Sequence, residues 1–275
     1  MKPERRRPFG DPKIEASLRD AAELAAASLL RHHGRRLRIS YKGAIDLVTR
    51  ADTETEERVL KFLRRRHPDH DFIAEESSSR RAACGSGYTW FIDPLDGTTN
   101  FAHGLEHFAF SLAVAWDGQV VGGIVADPCR GRLYHALRGR GAYCDGRRLR
   151  VSRRRRLAEC ILATGFPYDR RRRLPELMAL FGAFVRRVQG MRRFGVASLD
   201  LALVAAGQFD GFYEASLHAW DVAAGMLLVT EAGGVITDYE GRPFHPFSPS
   251  VLAAGPDAHR AMLGVIRRVL TDDAA

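Results

Sequence analysis

The sequence has few cysteines, and those it has lie far apart. Among 275 residues there are four, at positions 84, 129, 144 and 160, and no two of them form a Cys-x-x-Cys pair. This spacing argues against a zinc site of the finger or ribbon type. A chain of this length needs no disulfide framework to bury a core, so we expect reduced thiols and a cytoplasmic protein.

Long apolar runs and nucleotide-binding motifs are also missing. The apolar stretch at residues 21–30 is interrupted by Glu23 and is too short to cross a bilayer, which predicts neither a signal peptide nor a membrane segment. No predicted strand is followed by Gly-x-Gly-x-x-Gly, and there is no Walker-type phosphate loop. The sequence therefore gives no reason to expect a nucleotide cofactor.

Acidic residues are outnumbered by basic ones. Lys and Arg total 42 against 33 Asp and Glu, which gives a formal net charge of +9. Much of the excess is arginine in runs, such as residues 153–156 and 170–173. A basic surface favours an anionic partner, either a phosphate ester or a nucleic acid. Because no aromatic residues alternate with the basic ones, we do not expect nucleic-acid binding to be the main function.

Hydrophobic periodicity predicts a mixture of helices and strands. Helices are expected at residues 13–33, from Asp52 or Thr53 to 67, and at 175–188, 198–206 and 219–232. Strands are expected at 71–74, 88–93, 108–116, 120–126, 133–137, 142–144, 161–165 and 209–214, and short strands close the chain. The predicted fold class is α/β, with helices layered on sheets.

The arginine run at residues 153–156 marks a predicted seam between two parts of the chain. We expect a flexible basic tail at 1–12, an N-terminal α+β part at 13–150 and a C-terminal α/β part at 151–275. Acidic residues follow predicted strands or begin predicted helices in both parts. We therefore expect a functional site at their junction.

The most informative segment is 90–101, which reads Trp-Phe-Ile-Asp-Pro-Leu-Asp-Gly-Thr-Thr-Asn-Phe. An apolar strand delivers Asp93 at its end, and Pro94 is expected to stop the strand's hydrogen bonding. Asp93 and Asp96 lie three residues apart across a tight turn. Both carboxylates, together with the Leu95 carbonyl, can therefore point inward as the hard oxygen ligands that suit Mg²⁺.

Phosphate-binding groups follow these carboxylates directly. Gly97 lets the backbone approach an anion, and Thr98 and Thr99 offer N–H groups and hydroxyls to a phosphate. Metal ligands and phosphate donors within six residues are what metal-assisted phosphoryl transfer needs. The alternative for the Asp-Gly-Thr string alone is an acidic turn that caps a helix.

Three further acidic segments each have an ordinary structural explanation. Glu75 and Glu76 can solvate a loop, and Asp221 can favour the dipole of the helix it begins. Asp52, six residues after Asp46, is most simply a helix N-cap. Taken together, carboxylates at several strand ends and helix starts indicate one binding edge, as in layered α/β proteins.

Four blocks, in this order and at these separations, resemble the inositol monophosphatase family: DLVTRAD, FIAEES, WFIDPLDGTTNF and WDVAAG. The similarity covers about residues 42–238 and is closest to the family's bacterial branch. It departs from the usual pattern at Ala74, where a glycine is usual. The resemblance implies a layered α/β/α/β/α sandwich of the inositol monophosphatase and fructose-1,6-bisphosphatase type. It also implies membership of the wider lithium-sensitive, metal-dependent phosphatase superfamily.

The resemblance further implies a role for each matching residue. Glu75, Asp93 and the Leu95 carbonyl would bind one Mg²⁺, and Asp93, Asp96 and Asp221 a second, with a third, weaker ion near Glu75. Thr98 and Asp52 would orient and help deprotonate the attacking water, with Glu75 also counted as catalytic. Substrate would be held by Asp96, Gly97, Thr98, Ala197, Glu214 and Asp221. Glu214 would take a substrate hydroxyl and Ala197 would line the pocket.

Two more segments and one histidine are left with open interpretations. Residues 165–170 and 192–200 resemble the bacterial branch. For 165–170 a turn around Pro167 is favoured, with a dimer contact as the alternative. His218 is expected near the site, with packing favoured over contact with substrate.

The predicted function is Mg²⁺-dependent hydrolysis of inositol monophosphate by in-line attack of water, without a phosphoenzyme, in a family that forms homodimers. Histidinol phosphate, fructose 1,6-bisphosphate and 3′-phosphoadenosine 5′-phosphate are alternative substrates for the same chemistry. A function of a different class, that of a binding protein, is also kept open, because some bacterial members resemble this chain yet bind RNA or the transcription machinery. Intact carboxylates favour the enzyme.

Overall fold

The computed structural model describes residues 12–35, 39–41, 47–78 and 86–272. The predicted tail lies outside this part except for Pro12, which begins the first helix, and Asp46 and Cys84 lie outside it as well. The helices are α1 Pro12–His32, α2 Arg50–Arg66, α3 Thr98–Ala102, α4 Leu174–Val185, α5 Ala197–Ala205, α6 Ala219–Glu231 and α7 Pro256–Asp272. None of the helices within the described ranges is long and apolar enough to cross a membrane.

The strands form two large sheets and one small one. They are β1 Ile39–Tyr41, β2 Leu47–Thr49, β3 Asp71–Ala74, β4 Tyr88–Asp96, β5 Ala109–Trp116, β6 Gln119–Asp127, β7 Arg132–Leu137, β8 Gly141–Cys144, β9 Arg147–Arg148, β10 Ile161–Thr164, β11 Gly190–Arg192, β12 Gly211–Ala215, β13 Val235–Thr237 and β14 Ser250–Ala254. Strands β3 to β9 lie side by side in chain order in a seven-stranded sheet, antiparallel except for β3 with β4. A five-stranded mixed sheet has the order β11-β10-β12-β14-β13, and β1 pairs with β2.

The helices and the two large sheets stack in five layers. Helices α1 and α2 cover one face of the seven-stranded sheet, and α5 and α6 pack between the two sheets. Helices α4 and α7 cover the outer face of the five-stranded sheet. The architecture is therefore the predicted α/β/α/β/α sandwich. The sheets fall on either side of residues 149–160, while the division into two parts at residue 150 stays a prediction.

Small residues let α6 approach its neighbours closely in the middle layer. A Cβ at Gly123 of β6 would stand 2.9 Å from the Cα of Ala224, and a Cβ at Gly225 would stand 2.5 Å from the Cβ of Leu201 in α5. Both distances are too short for a side chain, so glycine is required at both positions. This packing determines where the first turn of α6, with Asp221, lies relative to the seven-stranded sheet.

The predicted hairpin between β5 and β6 is present. Asp117 and Gly118 have φ of 46° and 79°, the two positive values that a type I′ turn needs.

Two predictions about secondary structure are wrong, and a third is incomplete. Pro94 does not end β4, which continues to Asp96 through a bulge. Asp52 is not the N-cap of α2: Thr49 is the cap, and Asp52 is the third helical residue, whose carboxylate accepts the Thr49 N–H in a reciprocal capping box. The predicted short closing strands are present as β13 and β14, but the prediction omitted the 17-residue helix α7 that follows them.

Candidate active site

A cavity of about 220 Å³ contains almost all of the predicted site residues. It opens where β4, α3, α5, β12 and the start of α6 meet. Its walls include Glu75, Asp93, Leu95, Asp96, Gly97, Thr98, Ala197, Glu214 and Asp221. Asp52 is the exception, because it is fully buried and does not line the cavity.

A bulge in β4 turns Asp93 and Asp96 to the same side of the sheet. Asp93 pairs with Ser111 and Asp96 with Ala109, so two residues of β4 lie opposite one residue of β5. Residues three apart in a regular strand face opposite sides, and one extra residue restores them to the same side. The Leu95 N–H also donates to Asp93 Oδ1 at 3.0 Å, which holds the turn.

Asp96 belongs to β4, and its carboxylate contacts the N-terminus of α5. Its Oδ2 accepts hydrogen bonds from the N–H and the hydroxyl of Ser198, both at 2.7 Å, and the Ala197 N–H also donates to this carboxylate. Burial raises the pKa of Asp96 to about 6, and these hydrogen bonds oppose the rise. Ser198 was not among the predicted site residues, since it is distant in sequence and chemically ordinary.

Asp221 is held by the first turn of α6. Its Oδ2 accepts the N–H of His218 at 2.7 Å, and the His218 side chain accepts a backbone N–H in return, which completes a capping box. Burial raises the pKa of Asp221 well above its ordinary value, and the charges of Asp96 and Glu75 raise it further. His218 itself lines the cavity, and its ring stacks on Trp220.

Asp93 is the most crowded of the carboxyl groups. Burial raises its pKa well above the ordinary range, followed by the charges of Glu75, Asp96 and Asp221, and it also shares a hydrogen bond with Glu75. Four carboxyl groups thus line one cavity.

The donor set fits hard divalent cations, although the carboxylates are not arranged around one point. Among the described residues, no three His, Cys, Asp or Glu side chains form a ready-made metal group. One oxygen each of Asp93, Asp96 and Asp221 is already hydrogen-bonded to the protein. Carboxylate and carbonyl oxygens nevertheless suit Mg²⁺, and buried charges of one sign need cations near them. The charges of Glu75 and Asp96 raise the pKa of both Asp93 and Asp221, as expected for carboxylates that line one cavity.

Thr98 connects Asp52 to the cavity. The Thr98 hydroxyl lies 3.0 Å from both Asp52 Oδ1 and the Leu95 carbonyl oxygen. The other Asp52 oxygen accepts the N–H of Thr49 at 2.7 Å and its hydroxyl at 2.6 Å. Burial raises the pKa of Asp52, and the hydrogen bonds from Thr49 and Thr98 oppose this. Among the described residues, Thr98 is therefore the link between Asp52 and the cavity wall.

Gly97 is required here for a reason in addition to the predicted one, which stays a prediction. Its φ is 91°, in the left-handed region, and a Cβ would stand 2.7 Å from Cγ2 of Val196. The missing side chain thus makes room for the segment before α5, while the Gly97 backbone lines the cavity. Only glycine meets both conditions without strain.

Glu214 reaches the cavity from the end of β12, and its carboxyl group is buried. Burial raises its pKa to about 8, while the positive charge of Arg193 opposes the rise. Arg193 also lines the cavity, with its guanidinium 5.7 Å from the centre of the Phe166 ring. Neither Arg193 nor Phe166 was a predicted site residue.

The segment 165–170 forms part of the cavity wall, through Phe166, Pro167, Tyr168 and Arg170. The predicted turn around Pro167 is present, because the Arg170 N–H donates to the Pro167 carbonyl. The segment does more than turn the chain, because four of its residues line the same cavity as the carboxylates.

A model of the inositol monophosphatase family matches residues 13–271 of this chain. Among curated proteins, a Nus factor SuhB from Pasteurella multocida is 39% identical over 265 residues, which cover 96% of this chain and 98% of that protein. An inositol-1-monophosphatase from Rhizobium meliloti is 42% identical over 246 residues, which cover 89% of this chain and 92% of that protein.

A solved structure with the same fold is the Thermotoga maritima IMPase. It superposes with a TM-score of 0.86 at 32% sequence identity, and the match covers 95% of this chain and 99% of that one.

Proposed function

Because this chain belongs to the inositol monophosphatase family of phosphoric monoester hydrolases, we propose that it hydrolyses inositol monophosphate with the help of Mg²⁺. The observation that carries this proposal is the group of four carboxyl residues around one small cavity, Glu75, Asp93, Asp96 and Asp221, whose negative charges raise the pKa of Asp93 and of Asp221. Buried like charges are costly unless cations balance them. A phosphomonoester dianion can enter such a cavity only when this negative charge is neutralised.

Two Mg²⁺ ions fit the proposal, with Glu75, Asp93 and the Leu95 carbonyl around one and Asp93, Asp96 and Asp221 around the other. We also propose a third, more weakly bound ion near Glu75. Bound divalent cations supply charge neutralisation for the phosphoryl oxygens and make water more acidic. The chain holds the ligands in place: α5 positions Asp96 through Ser198, and the capping box of α6 positions Asp221.

Thr98 and Asp52 would orient the attacking water. The Thr98 hydroxyl donates toward Asp52 or the Leu95 carbonyl, so its oxygen lone pairs stay able to accept a hydrogen bond from water. Asp52 keeps this orientation because Thr49 holds its second oxygen. Proton transfer through a positioned pair of this kind contributes about 10²- to 10⁴-fold to a rate.

The substrate would lie between the phosphate-binding turn and Glu214. The N–H groups of Gly97 and Thr98 would hold the phosphate, and the Glu214 carboxyl would bind a sugar hydroxyl. The small side chain of Ala197 leaves room for a ring between them, since it is part of the cavity wall. A polyhydroxyl ring with one phosphate matches this pairing of an acidic wall and hydrogen-bonding groups.

The test is phosphate release, with and without Mg²⁺, from inositol 1-phosphate, histidinol phosphate, fructose 1,6-bisphosphate and 3′-phosphoadenosine 5′-phosphate. Asp93→Asn is the inactivating variant, and Asp69→Asn, at an exposed turn position, is its matched control. We expect Mg²⁺-dependent turnover that is highest on inositol 1-phosphate and is lost only in Asp93→Asn. Preference for another ester would contradict the proposed substrate. Turnover without Mg²⁺ would contradict the proposed metal dependence.

A second candidate function, of another class, is supported by the name of the Pasteurella multocida relative, which is called a Nus factor. This would be binding to RNA or the transcription machinery through the exposed Arg153–Arg156 run. Within that run Arg154 pairs with buried Asp210, and Arg155 pairs with Asp257. RNA binding that falls steeply with salt and is lost when this run is replaced by alanine, with hydrolysis preserved, would support it. No RNA binding at low salt would remove it.

We also propose a homodimer in the cytoplasm. A suitable surface is the outer side of α4, where Leu174, Met178 and Val185 are exposed at helical spacing. Light scattering on the full chain tests the assembly. A monomeric mass at micromolar concentration would contradict it.

A further inference from the structure

Ser216 has an unusual backbone conformation at the edge of the cavity. Its φ is 63°, in the left-handed region, which non-glycine residues adopt only when the surroundings hold them there. Ser216 immediately follows β12 and lines the cavity together with Leu217 and His218. A residue under this strain needs contacts that keep it in place.

Two contacts hold Ser216 from different sides. Its N–H donates to the Pro249 carbonyl at 2.8 Å, next to the start of β14. Its hydroxyl accepts a hydrogen bond from Nη1 of Arg173 at 2.6 Å. Arg173 immediately precedes α4, so the second contact ties a separate element to the loop.

The Arg173 guanidinium is itself held in a fixed orientation. Its Nη2 donates to Oε1 of Glu176 at 2.7 Å, and its Nε donates to Oε2 at 3.2 Å. Both partners are partly shielded, with side-chain exposures of 22% and 33%. A two-point contact between a planar guanidinium and a carboxylate restricts direction as well as distance. The remaining Nη1 therefore points at Ser216.

The loop after β12 connects two groups of the site. Glu214 lies two residues before Ser216, and its carboxyl group is buried against Gly165. His218 lies two residues after Ser216 and forms the capping box that holds Asp221. A change in the position of Ser216 would move both carboxylates relative to the cavity.

We propose that Arg173 is a positioning residue for the site: supported by Glu176, it holds Ser216 and with it the loop that presents Glu214 and Asp221. Arg173 does not line the cavity and would touch neither substrate nor ion. The roles of Asp221 toward Mg²⁺ and of Glu214 toward substrate rest on the proposed function. The restraint that Arg173 places on the loop does not depend on the proposed function, so its effect on the loop can be measured separately.

The experiment compares Arg173→Ala and Arg173→Lys with the control Arg172→Ala in the full-length protein. Arg172 is the neighbouring arginine, it is 83% exposed, and it pairs with Asp169. Three quantities are measured: hydrogen–deuterium exchange of peptides covering 214–221, Mg²⁺ affinity by calorimetry, and kcat and KM separately. Exchange and calorimetry need no turnover, so an enzyme that cleaves none of the esters would overturn the proposed function and leave this test standing.

In Arg173→Ala we expect exchange at 214–221 to rise about tenfold, as for loss of a hydrogen bond to a charged group. Mg²⁺ affinity should fall several-fold and KM should rise more than kcat falls. Arg173→Lys keeps the charge and cannot make the two-point contact, so it should recover less than half of the loss. Arg172→Ala should match the unmodified protein in all three measurements.

Ser216→Ala removes the same hydrogen bond without changing an arginine, so it provides the test if Arg173→Ala does not fold. We expect it to raise exchange at 214–221 as Arg173→Ala does, and the double variant should be no worse than either single one. Unchanged exchange and Mg²⁺ affinity in these variants would overturn the proposal. The proposal would also be overturned if the effects of Arg173→Ala and Ser216→Ala on exchange added fully in the double variant.

Discussion

The carboxyl group of Glu214 lies directly against the α-carbon of Gly165. A Cβ at position 165 would stand 2.0 Å from Oε2 and 2.3 Å from Oε1. A Cβ cannot lie this close to a carboxylate oxygen, so the absence of a side chain at Gly165 leaves the space that the buried Glu214 carboxyl group occupies. Gly165 immediately follows β10 and Glu214 lies in β12, and these strands are neighbours in the five-stranded sheet.

Gly165→Ala should therefore displace Glu214 and weaken substrate binding. We expect KM to rise about tenfold or more, as for loss of a hydrogen bond that involves a charged group, with Mg²⁺ affinity retained. Steady-state kinetics and Mg²⁺ calorimetry measure the two effects. The matched control is Gly264→Ala in α7, where nothing lies within 4 Å and alanine favours the helix. An unchanged KM in Gly165→Ala would contradict this role for Glu214.

Thr98→Ala should lower kcat about 100-fold, because it removes the hydroxyl that links buried Asp52 to the cavity. Thr98→Ser keeps that hydroxyl and should retain most of the activity. Asp52→Asn should lower kcat similarly and also reduce stability by about 1 kcal/mol, since it weakens the capping box of α2.

Single-turnover rates and thermal unfolding separate these two effects. The control for Thr98→Ala is Thr53→Ala, because the exposed Thr53 hydroxyl contacts only a backbone carbonyl at 3.3 Å. A Thr98→Ala enzyme that is as fast as Thr98→Ser would show that the hydroxyl has no part in the reaction.

Ser198→Ala should weaken Mg²⁺ binding several-fold while leaving the fold intact. The variant keeps the backbone N–H that donates to Asp96 and loses the hydroxyl that donates to the same oxygen at 2.7 Å. Calorimetric titration with Mg²⁺ measures the change, and Ser152→Ala, away from the cavity, is the control. Identical titrations for Ser198→Ala and the unmodified protein would argue against a role for this hydroxyl in holding Asp96.

Stability in the absence of metal should fall as the pH rises, in part because of Glu214. Its pKa is about 8 in the folded protein against an ordinary value of 4.5, so between these values the folded state holds a proton that the unfolded state releases. The contribution is complete below about pH 4.5 and is lost as the pH rises toward 8, at up to about 1.4 kcal/mol per pH unit.

Urea unfolding at pH 5 and pH 8, with a chelator present, tests this expectation. Glu214→Gln cannot ionise, so it should lose less stability between the two pH values than the unmodified protein does. Asp93 and Asp96 titrate in both proteins, so the difference between the two proteins reports the ionisation of Glu214 together with the effect of its charge on Asp221. An equal loss in both proteins would contradict the raised pKa of Glu214.

The sequence predicted most of the elements well, and its errors have local causes. Asp52 and Thr49 are both good capping residues, and periodicity alone does not decide between them when a reciprocal capping box uses both. Helix α7 carried a usable signal, since Pro256 stands at its first position and Met262 and Ile266 are buried four residues apart. Strand β11 has three residues and is stabilised by pairing with β10, so local propensity predicts it poorly.

The site residues that sequence reasoning missed act through contacts over long separations. Ser198 holds Asp96 across 102 positions, Arg173 holds Ser216 across 43, and Gly165 makes room for Glu214. Each is an ordinary residue whose function depends on which side chain the fold brings to it. The predicted roles of the metal-binding and catalytic residues stay predictions until the variants are measured.

The sequence by itself determined the periodicities that form the layers and the order of the acidic segments along the chain, because these depend on neighbouring residues and on burial patterns within single elements. The tertiary structure alone decided that Asp93 and Asp96 face one side, through the bulge opposite β5, and that Asp221 joins them. It also decided that Asp52 lies behind Thr98. Burial and electrostatic repulsion depend on distances in space, and segments from both halves of the chain set those distances only when they pack.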